Sequence, residues 1–132
     1  MGYPPNAAAR YKNAAIESAS KEKLLLMLYE GAIKNMKLAQ KALEEKRVAD
    51  KGNYLGKAHD IVSELSNSLN HEVGGKISED LESLYFYMLS KITEGNINND
   101  PKCLESVTQI LETLLEGWRE AVDIAKKEKR KT

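Results

Sequence analysis

The sequence predicts an all-α protein, an antiparallel up-down four-helix bundle with a short additional N-terminal helix or arm. Along four long segments, apolar residues recur in steps of three and four, as in helices that bury one face. Short stretches rich in Gly, Asn and Asp separate these segments, so consecutive helices are expected to pack antiparallel. No stretch alternates apolar and polar residues with a period of two, so a β-sheet is not expected.

The first long helix is predicted from about Ser20 to about Arg47. Ser20 is a suitable N-cap, and the run Leu24–Tyr29 consists of strong helix formers and an aromatic residue. One seam of this helix comprises Leu25, Tyr29, Ala32, Met36, Ala39 and Leu43. Other apolar residues lie off this seam, so either further helices or another molecule must cover them.

The N-terminal segment, residues 1–18, is predicted to form a mobile arm. Pro4 and Pro5 prevent a regular helix from starting before them, and Asn6 can cap a short Ala-rich helix. This helix has little apolar surface to bury and is marginal alone. A loosely docked arm and a frayed terminus both fit the pattern.

Three further helices follow. Residues 49–53 form a predicted turn, and the second helix is expected to end near Glu72, before Gly74 and Gly75. The third helix is expected to begin at Ser78 or at the Gly74-Gly75 pair and to fade at residues 94–96. Asp100 and Pro101 provide a cap and a first helical residue for the fourth helix. Residues 126–132 form a basic tail whose cations complement the helix end.

Length and charge narrow the classes of function. With 132 residues, the chain is expected to be a single domain, and its 20 basic and 20 acidic side chains argue against nucleic acid as a partner. The single cysteine, Cys103, cannot form an internal disulfide, which fits a reducing cytoplasm. No apolar run reaches the ~20 residues needed to span a bilayer, and no secretory signal is recognised, so no membrane partner is expected.

No pattern of residues indicates catalysis, a metal or another cofactor. Di-iron bundles use Glu-x-x-His, but Gly56 and Ser68 stand three residues before His59 and His71. A histidine phosphotransfer bundle has the right size and is kept as an alternative function. Each histidine is followed by an acidic residue and lacks a lysine three positions later, which makes phosphate acceptance unfavourable. A structural helical module that dimerises through apolar surface is a further alternative.

The stretch A-S-K-E-K-L-L-L-M-L-Y-E-G-A at residues 19–32 resembles the A-S-P-E-K-L-L-L-M-L-Y-D-G-A signature of the FliS-type flagellar export chaperones. The sequence departs from this signature at Lys21 and Glu30. L-Y-F-Y-M at residues 84–88 is similar to the family's L-Y-x-Y-M, and residues 95–100 are similar to A-N-x-x-x-D, with Gly95 replacing Ala. Further matching features, found in the same order as in the family, are Tyr11, Gly74-Gly75 and Trp118.

The resemblance implies a non-enzymatic chaperone of the bacterial cytosol. Its partner would be the disordered C-terminal region of flagellin. By binding this region, the chaperone would prevent premature polymerisation of flagellin and keep it competent for type III export. Components of the flagellar export apparatus are further expected partners, and the protein is expected to be a monomer or a weak homodimer. The predicted partner-binding residues are Tyr11, as a plug carried by the arm, and the off-seam groups Leu26, Ile33, Phe86 and Leu89.

Overall fold

The computed structural model describes the backbone of residues 7–131 and the side chains of residues 20–130, and contains five helices and no strand within that range. The helices are α1 (Ala7–Glu44), α2 (Val48–Asn67), α3 (His71–Gly74), α4 (Lys76–Asn98) and α5 (Pro101–Lys131). The prediction of an all-α fold is confirmed. None of the described helices is both long and apolar enough to cross a bilayer.

The four long helices form a ring in the order α1–α2–α4–α5, and the one-turn helix α3 packs on α4. Helix α1 contacts α2 and α5, while α4 contacts the same two helices from the opposite side. Successive long helices run in opposite directions, as short connections favour. The architecture is therefore the expected antiparallel bundle, with α1 and α4 diagonally opposite.

The core is built from the seam residues of all four long helices. In α1 the predicted seam is buried at its centre, where Tyr29, Ala32, Met36 and Ala39 are fully enclosed. Leu25 and Leu43, at the two ends of that seam, are partly buried and pack against the core. The other three helices contribute Leu55, Ala58, Val62, Leu65, Tyr85, Met88, Ile92, Leu104, Val107, Leu111 and Leu115.

The N-terminal segment does not form a separate short helix. Helix α1 begins at Ala7 and continues without a break through Ser20 to Glu44. The prediction of a helix start at Ser20 was wrong because no Gly or Pro separates Ala7 from Ser20, and the Ala-rich stretch favours continuation. The predicted mobility of residues 1–18 stays a prediction, since their side chains lie outside the described range.

The predicted turn at residues 49–53 is also wrong, because α2 begins at Val48. The chain instead reverses at residues 45–47, where Lys46 adopts a positive φ of 61°. Arg47 stabilises this turn by pairing with Glu45 and Asp50, at 2.9 and 2.8 Å. Lys51 therefore lies within the first turn of α2, from which its side chain reaches the C-terminal end of α4.

Lys51 is buried, with 2% of its surface exposed. Its ammonium group donates hydrogen bonds to the Asn96 carbonyl oxygen, at 2.9 Å, and to the Asn99 side-chain oxygen. Since the last carbonyl groups of a helix lack partners within it and carry partial negative charge, the cation caps α4 and joins it to α2.

Helix α4 extends beyond Gly95, where it was expected to fade, and ends at Asn98. Asn99 adopts the left-handed conformation after it, and the Asp100 carboxylate then accepts from the Lys102 amide at 3.0 Å, capping α5 as predicted. Gly95 is buried against the start of α5. A Cβ there would lie 2.9 Å from Leu104 Cδ2 and 3.0 Å from Cys103 Cβ, so glycine permits this close approach.

The predicted second helix is divided. Helix α2 ends at Asn67, five residues before the expected end near Glu72, and α3 follows. The Asn70 side chain caps α3 by accepting from the amides of Glu72 and Val73 at 3.1 and 3.2 Å. Asn70 can start a helix because its short side chain replaces a missing backbone partner.

Candidate partner-binding surface

Helix α4 is flanked by a groove on each side. The groove between α2 and α4 has a volume of about 520 Å³ and is lined by His59, Leu89, Ser90, Thr93, Glu94, Ile97 and Asn98. The groove between α4 and α5 has a volume of about 400 Å³ and is lined by Leu84, Ser106, Gln109, Ile110, Thr113 and Leu114. Both linings consist mainly of apolar and uncharged polar side chains, which suits the apolar face of another chain.

The sequence of α4 produces these grooves because it carries more apolar residues than its seam requires. Tyr85, Met88 and Ile92 are buried in the core. Phe86 and Ile97 lie on the side of α4 toward α2 and leave 57% and 73% of their surfaces exposed. Leu89 follows Phe86 by three residues and Ile97 follows Leu89 by eight, spacings that keep residues on one side of a helix, so the three side chains form an apolar strip along α4.

Among the described side chains, the structure does not bring the predicted binding residues together, since Phe86 and Leu89 lie on α4 and Leu26 and Ile33 on α1. Phe86 and Leu89 lie on the strip just described, with Leu89 half-buried. Leu26 and Ile33 lie on α1, where Leu26 is half-buried against the core and Ile33 is only 8% exposed. Tyr11 belongs to α1, but its side chain is outside the described range. No contact described here tests the binding role of any of the five.

Ile33 lines a third groove, between α1 and α5, together with Leu38 and Leu115. This groove has a volume of about 430 Å³. Two ion pairs cross it, Glu30–Arg119 at 2.9 Å and Lys37–Glu112 at 3.3 Å. A partner seated there would displace these pairs, whereas the α4–α5 groove has no charged residue in its lining.

A buried polar cluster lies in the core beside these grooves. The hydroxyl groups of Tyr29 and Tyr85 form a hydrogen bond, and both residues are fully buried. Burial raises the pKa of both hydroxyls, and the bond to Tyr29 raises the pKa of Tyr85 further, as expected if Tyr85 donates. The Trp118 indole nitrogen is buried nearby without a hydrogen-bond partner in the described residues. The hydrogen bond with Tyr85 and, after it, the nearby Trp118 indole lower the pKa of Tyr29 in opposition to burial.

Sequence reasoning missed several exposed apolar side chains. Ile77 at the start of α4 is 67% exposed, and Val73 in α3 is 85% exposed. Leu24 and Met27 in α1 are also exposed. Val73 lies in the one-turn helix α3, and Ile77 lies in the first turn of α4. The exposure of Leu24 and Met27 could have been expected, because the run 24–29 contains more apolar residues than one buried face requires.

The groups that could perform chemistry are separated. The described residues contain no group of three His, Cys, Asp or Glu side chains arranged to hold a metal ion. His59 lines the α2–α4 groove, and His71 contacts the Glu82 carboxylate at 3.1 Å. Cys103 is buried, and its burial raises the pKa of its thiol, which disfavours the reactive thiolate.

Comparison with known proteins places this bundle in a family. The family model described as "Flagellar protein FliS" matches residues 4–125, nearly the whole chain. The chain belongs to the FliS family. This assignment agrees with the signature at residues 19–32, whose Tyr29 is a central core residue of the bundle.

Individual relatives agree with the family assignment. The chain is similar to the flagellar secretion chaperone FliS of Vibrio cholerae, with 36% identity over 112 residues that cover 82% of each chain. It is similar to the corresponding chaperone of Bacillus subtilis, with 29% identity over 124 residues, 94% of this chain and 92% of the relative. These FliS relatives are named as chaperones and not as enzymes.

A solved structure supports the fold. The crystal structure of a flagellar chaperone from bacteria matches with a TM-score of 0.72, covering 78% of this chain and 84% of that one at 23% identity. The resemblance to FliS-type export chaperones is therefore confirmed, and the protein is a flagellar secretion chaperone with a secreted substrate as its partner.

Proposed function

We propose that this chaperone binds the disordered C-terminal segment of flagellin in the grooves beside α4. The observation that carries the proposal is the apolar strip of α4, where Phe86 is 57% exposed beside a groove of about 520 Å³. An amphipathic segment that folds on this surface would bury its own apolar face against the strip.

Such binding would prevent premature polymerisation. A terminal segment that forms helical contacts in the assembled filament exposes apolar side chains before assembly, and these side chains favour self-association. When the chaperone covers these side chains, flagellin loses the surface through which it would self-associate. The flagellin segment still has no tertiary fold, which keeps it competent for export. Shallow grooves fit this role because the complex must later dissociate, so affinity should come from many modest contacts.

Tyr11 retains its proposed role as a removable plug in the N-terminal part of α1. A plug lowers the apparent affinity for flagellin, because the incoming segment gains only the difference between its own binding free energy and that of the plug. Deletion of residues 1–15 should therefore leave the bundle folded and change the affinity. Unchanged affinity would remove the plug from the proposal.

Isothermal titration with the C-terminal segment of the cognate flagellin tests the function. We expect saturable heat and induced helicity, which circular dichroism detects. Phe86→Ala should weaken binding about tenfold, as for an exposed aromatic side chain that becomes buried in an interface. Absence of heat and of induced helicity for the wild-type protein would contradict the proposal.

Val48→Ala is the matched control. Val48 is also 57% exposed, but it lies at the start of α2 and lines none of the grooves described above. Its replacement removes exposed apolar surface away from α4 and should leave the affinity unchanged. Equal weakening by both variants would show that the effect does not arise at the α4 strip. The proposal places this binding in the bacterial cytosol, before transfer to the export apparatus.

A further inference from the structure

Two glycines lie on the α2 side of the α2–α4 groove. Gly52 and Gly56 are inside α2, and His59, which lines the groove, follows Gly56 by three residues. Residues spaced by three, four or seven positions share one side of a helix. Beyond the neighbouring residues and the backbone of α2, the atom nearest to a Cβ built at Gly52 is Asn96 Oδ1 of α4, at 3.9 Å, so this side of α2 faces α4. We call Gly52 and Gly56 the glycine wall of the groove.

The packing of the described residues does not require these two glycines. Glycine destabilises the interior of a helix relative to alanine, because it loses more backbone freedom on folding. At Gly95 the close approach of α5 explains the glycine. At Gly56 no described atom beyond its neighbours and the α2 backbone lies within 4 Å of a built Cβ, and Gly52 also has room for one. Neither residue has a positive φ. The absent side chains therefore leave the α2 backbone open to a molecule outside the bundle.

The opposite side of the groove is apolar and exposed. Phe86 and Ile97 of the α4 strip leave 57% and 73% of their surfaces exposed, and Leu89 is half-buried between them. From Phe86 to Ile97 the strip is roughly 16 Å long at the standard rise of an α-helix, which matches about three turns of a helix laid along the groove. The glycine wall and the strip thus form two sides of a trough that can accept one helix.

The size of this trough indicates the kind of molecule that occupies it. A contact roughly 16 Å long and one helix diameter, about 10 Å, wide buries far less surface than the ~1,200 Å² of a stable interface between folded proteins. A second folded copy held only at this trough would therefore bind too weakly to persist. A segment of a longer, disordered chain can make further contacts elsewhere, including in the α4–α5 groove, and can reach a sufficient area in this way.

We propose that Gly52 and Gly56 contact the partner directly, with one helical stretch of the flagellin segment packed against the α2 backbone at the glycine wall. The apolar residues of this stretch lie on the α4 strip. A helix suits the trough because it pairs its own N–H and C=O groups, whereas an extended chain would leave them unpaired against apolar side chains. Without α2 side chains between them, the two helices can approach more closely than the usual interaxial distance of about 8–10 Å. The inference rests on the proposed function and adds the residues that determine how closely the partner approaches.

Replacement of Gly56 separates a role in binding from a role in folding. Gly56→Ala should raise the midpoint of thermal unfolding by about 3 °C, since alanine favours helix and meets no clash. In isothermal titration the same variant should bind the flagellin segment about fivefold more weakly, because the new methyl group keeps the partner helix away from the α2 backbone. Gly56→Leu should weaken binding at least about tenfold and reduce the helicity that the segment gains on binding. A residue that only supports the fold would not change stability and affinity in opposite directions.

Ser20→Ala is the matched control. Ser20 is exposed and lies inside α1, the helix diagonally opposite α4. This variant also replaces a small exposed residue of lower helix propensity by alanine. It should not lower the midpoint of thermal unfolding, and it should leave the affinity for the flagellin segment unchanged. The loss of affinity in the Gly56 variants would then arise at the α2–α4 groove.

Several outcomes would overturn the inference. These are unchanged or tighter binding of flagellin by the Gly56 variants, a lower thermal midpoint for Gly56→Ala, or a loss of affinity in Ser20→Ala as large as that in Gly56→Ala. A dimer of the free protein that Gly56→Leu dissociates in sedimentation would assign the groove to a second copy. If the wild-type protein binds flagellin and the Gly56 variants bind it equally well, only the inference fails. If the wild-type protein does not bind flagellin, the proposed function fails and the inference fails with it.

Discussion

The hydroxyl groups of Tyr29 and Tyr85 form a hydrogen bond in the core and thereby join α1 to α4 across the bundle. These helices are diagonally opposite and do not pack directly against each other within the described residues. A buried hydroxyl without a partner is costly, so each tyrosine satisfies the other. The pair fixes the two diagonal helices at one relative height, and one of them, α4, carries the apolar strip.

Removal of one hydroxyl should destabilise the bundle. We expect Tyr85→Phe to lower the free energy of unfolding by about 1 kcal/mol, the typical net value of a buried hydrogen bond. Urea denaturation followed by circular dichroism measures the change. Tyr87→Phe is the control, since Tyr87 lies two residues further along α4 and is half exposed. A loss for Tyr87→Phe as large as that for Tyr85→Phe would contradict the assigned role.

The same pair should make the protein sensitive to alkali. The pKa values of Tyr29 and Tyr85 are raised from 10.0 by burial, so the folded state holds both protons more tightly than the unfolded state does. This contribution to stability is fully present below pH 10.0 and is lost as the pH rises above that value. Urea denaturation at increasing pH should show the loss, and Tyr85→Phe should reduce its slope. Parallel profiles for both proteins would contradict this explanation.

The fold was largely predictable from the sequence because each long helix has an apolar seam. Along α1 the periodic pattern identified Tyr29 and Met36 as core residues, and both are fully buried. The start of α2 was not predictable from local pattern. Residues 49–53 resemble a turn, but the contact between Lys51 and the end of α4, which is distant in the sequence, favours helix there.

The binding surface was harder to predict than the fold. An apolar residue off the seam can be exposed, as Phe86 is, or it can be covered by a neighbouring helix, as Ile33 is. The helical period gives the side of the helix, but the position of the neighbouring helices decides exposure.

Gly95 should tolerate no side chain. In Gly95→Ala the new Cβ would lie within 3.0 Å of two side-chain atoms of α5, in Leu104 and Cys103, and 3.4 Å from the Asp100 carbonyl oxygen. We expect the free energy of unfolding to fall by about 1–3 kcal/mol. The clash outweighs the higher helix propensity of alanine. Thermal and urea denaturation measure the change.

Gly117→Ala provides the opposite outcome within the same bundle. Among the described residues, no atom beyond the neighbouring residues and backbone of α5 lies within 4 Å of a Cβ built at Gly117, which is inside α5. Alanine should therefore stabilise the protein by up to about 1 kcal/mol, since it favours helix and adds no clash. If both glycine variants changed stability in the same direction, the close approach at Gly95 would not be the cause.

Lys51 should contribute to stability through its ammonium group more than through its aliphatic stem. Lys51→Met preserves most of the buried stem but removes the donor to the Asn96 carbonyl oxygen and the Asn99 side chain. Because these acceptors then lack a partner at a partly buried site, we expect a loss of about 1–3 kcal/mol. Lys57→Met, on the exposed side of the same helix, should change stability by less than about 0.5 kcal/mol. If Lys51→Met were as stable as the wild-type protein, water or another group would have to bind the carbonyl oxygens at the end of α4. The Lys51 ammonium would then not be the group that joins α2 to α4.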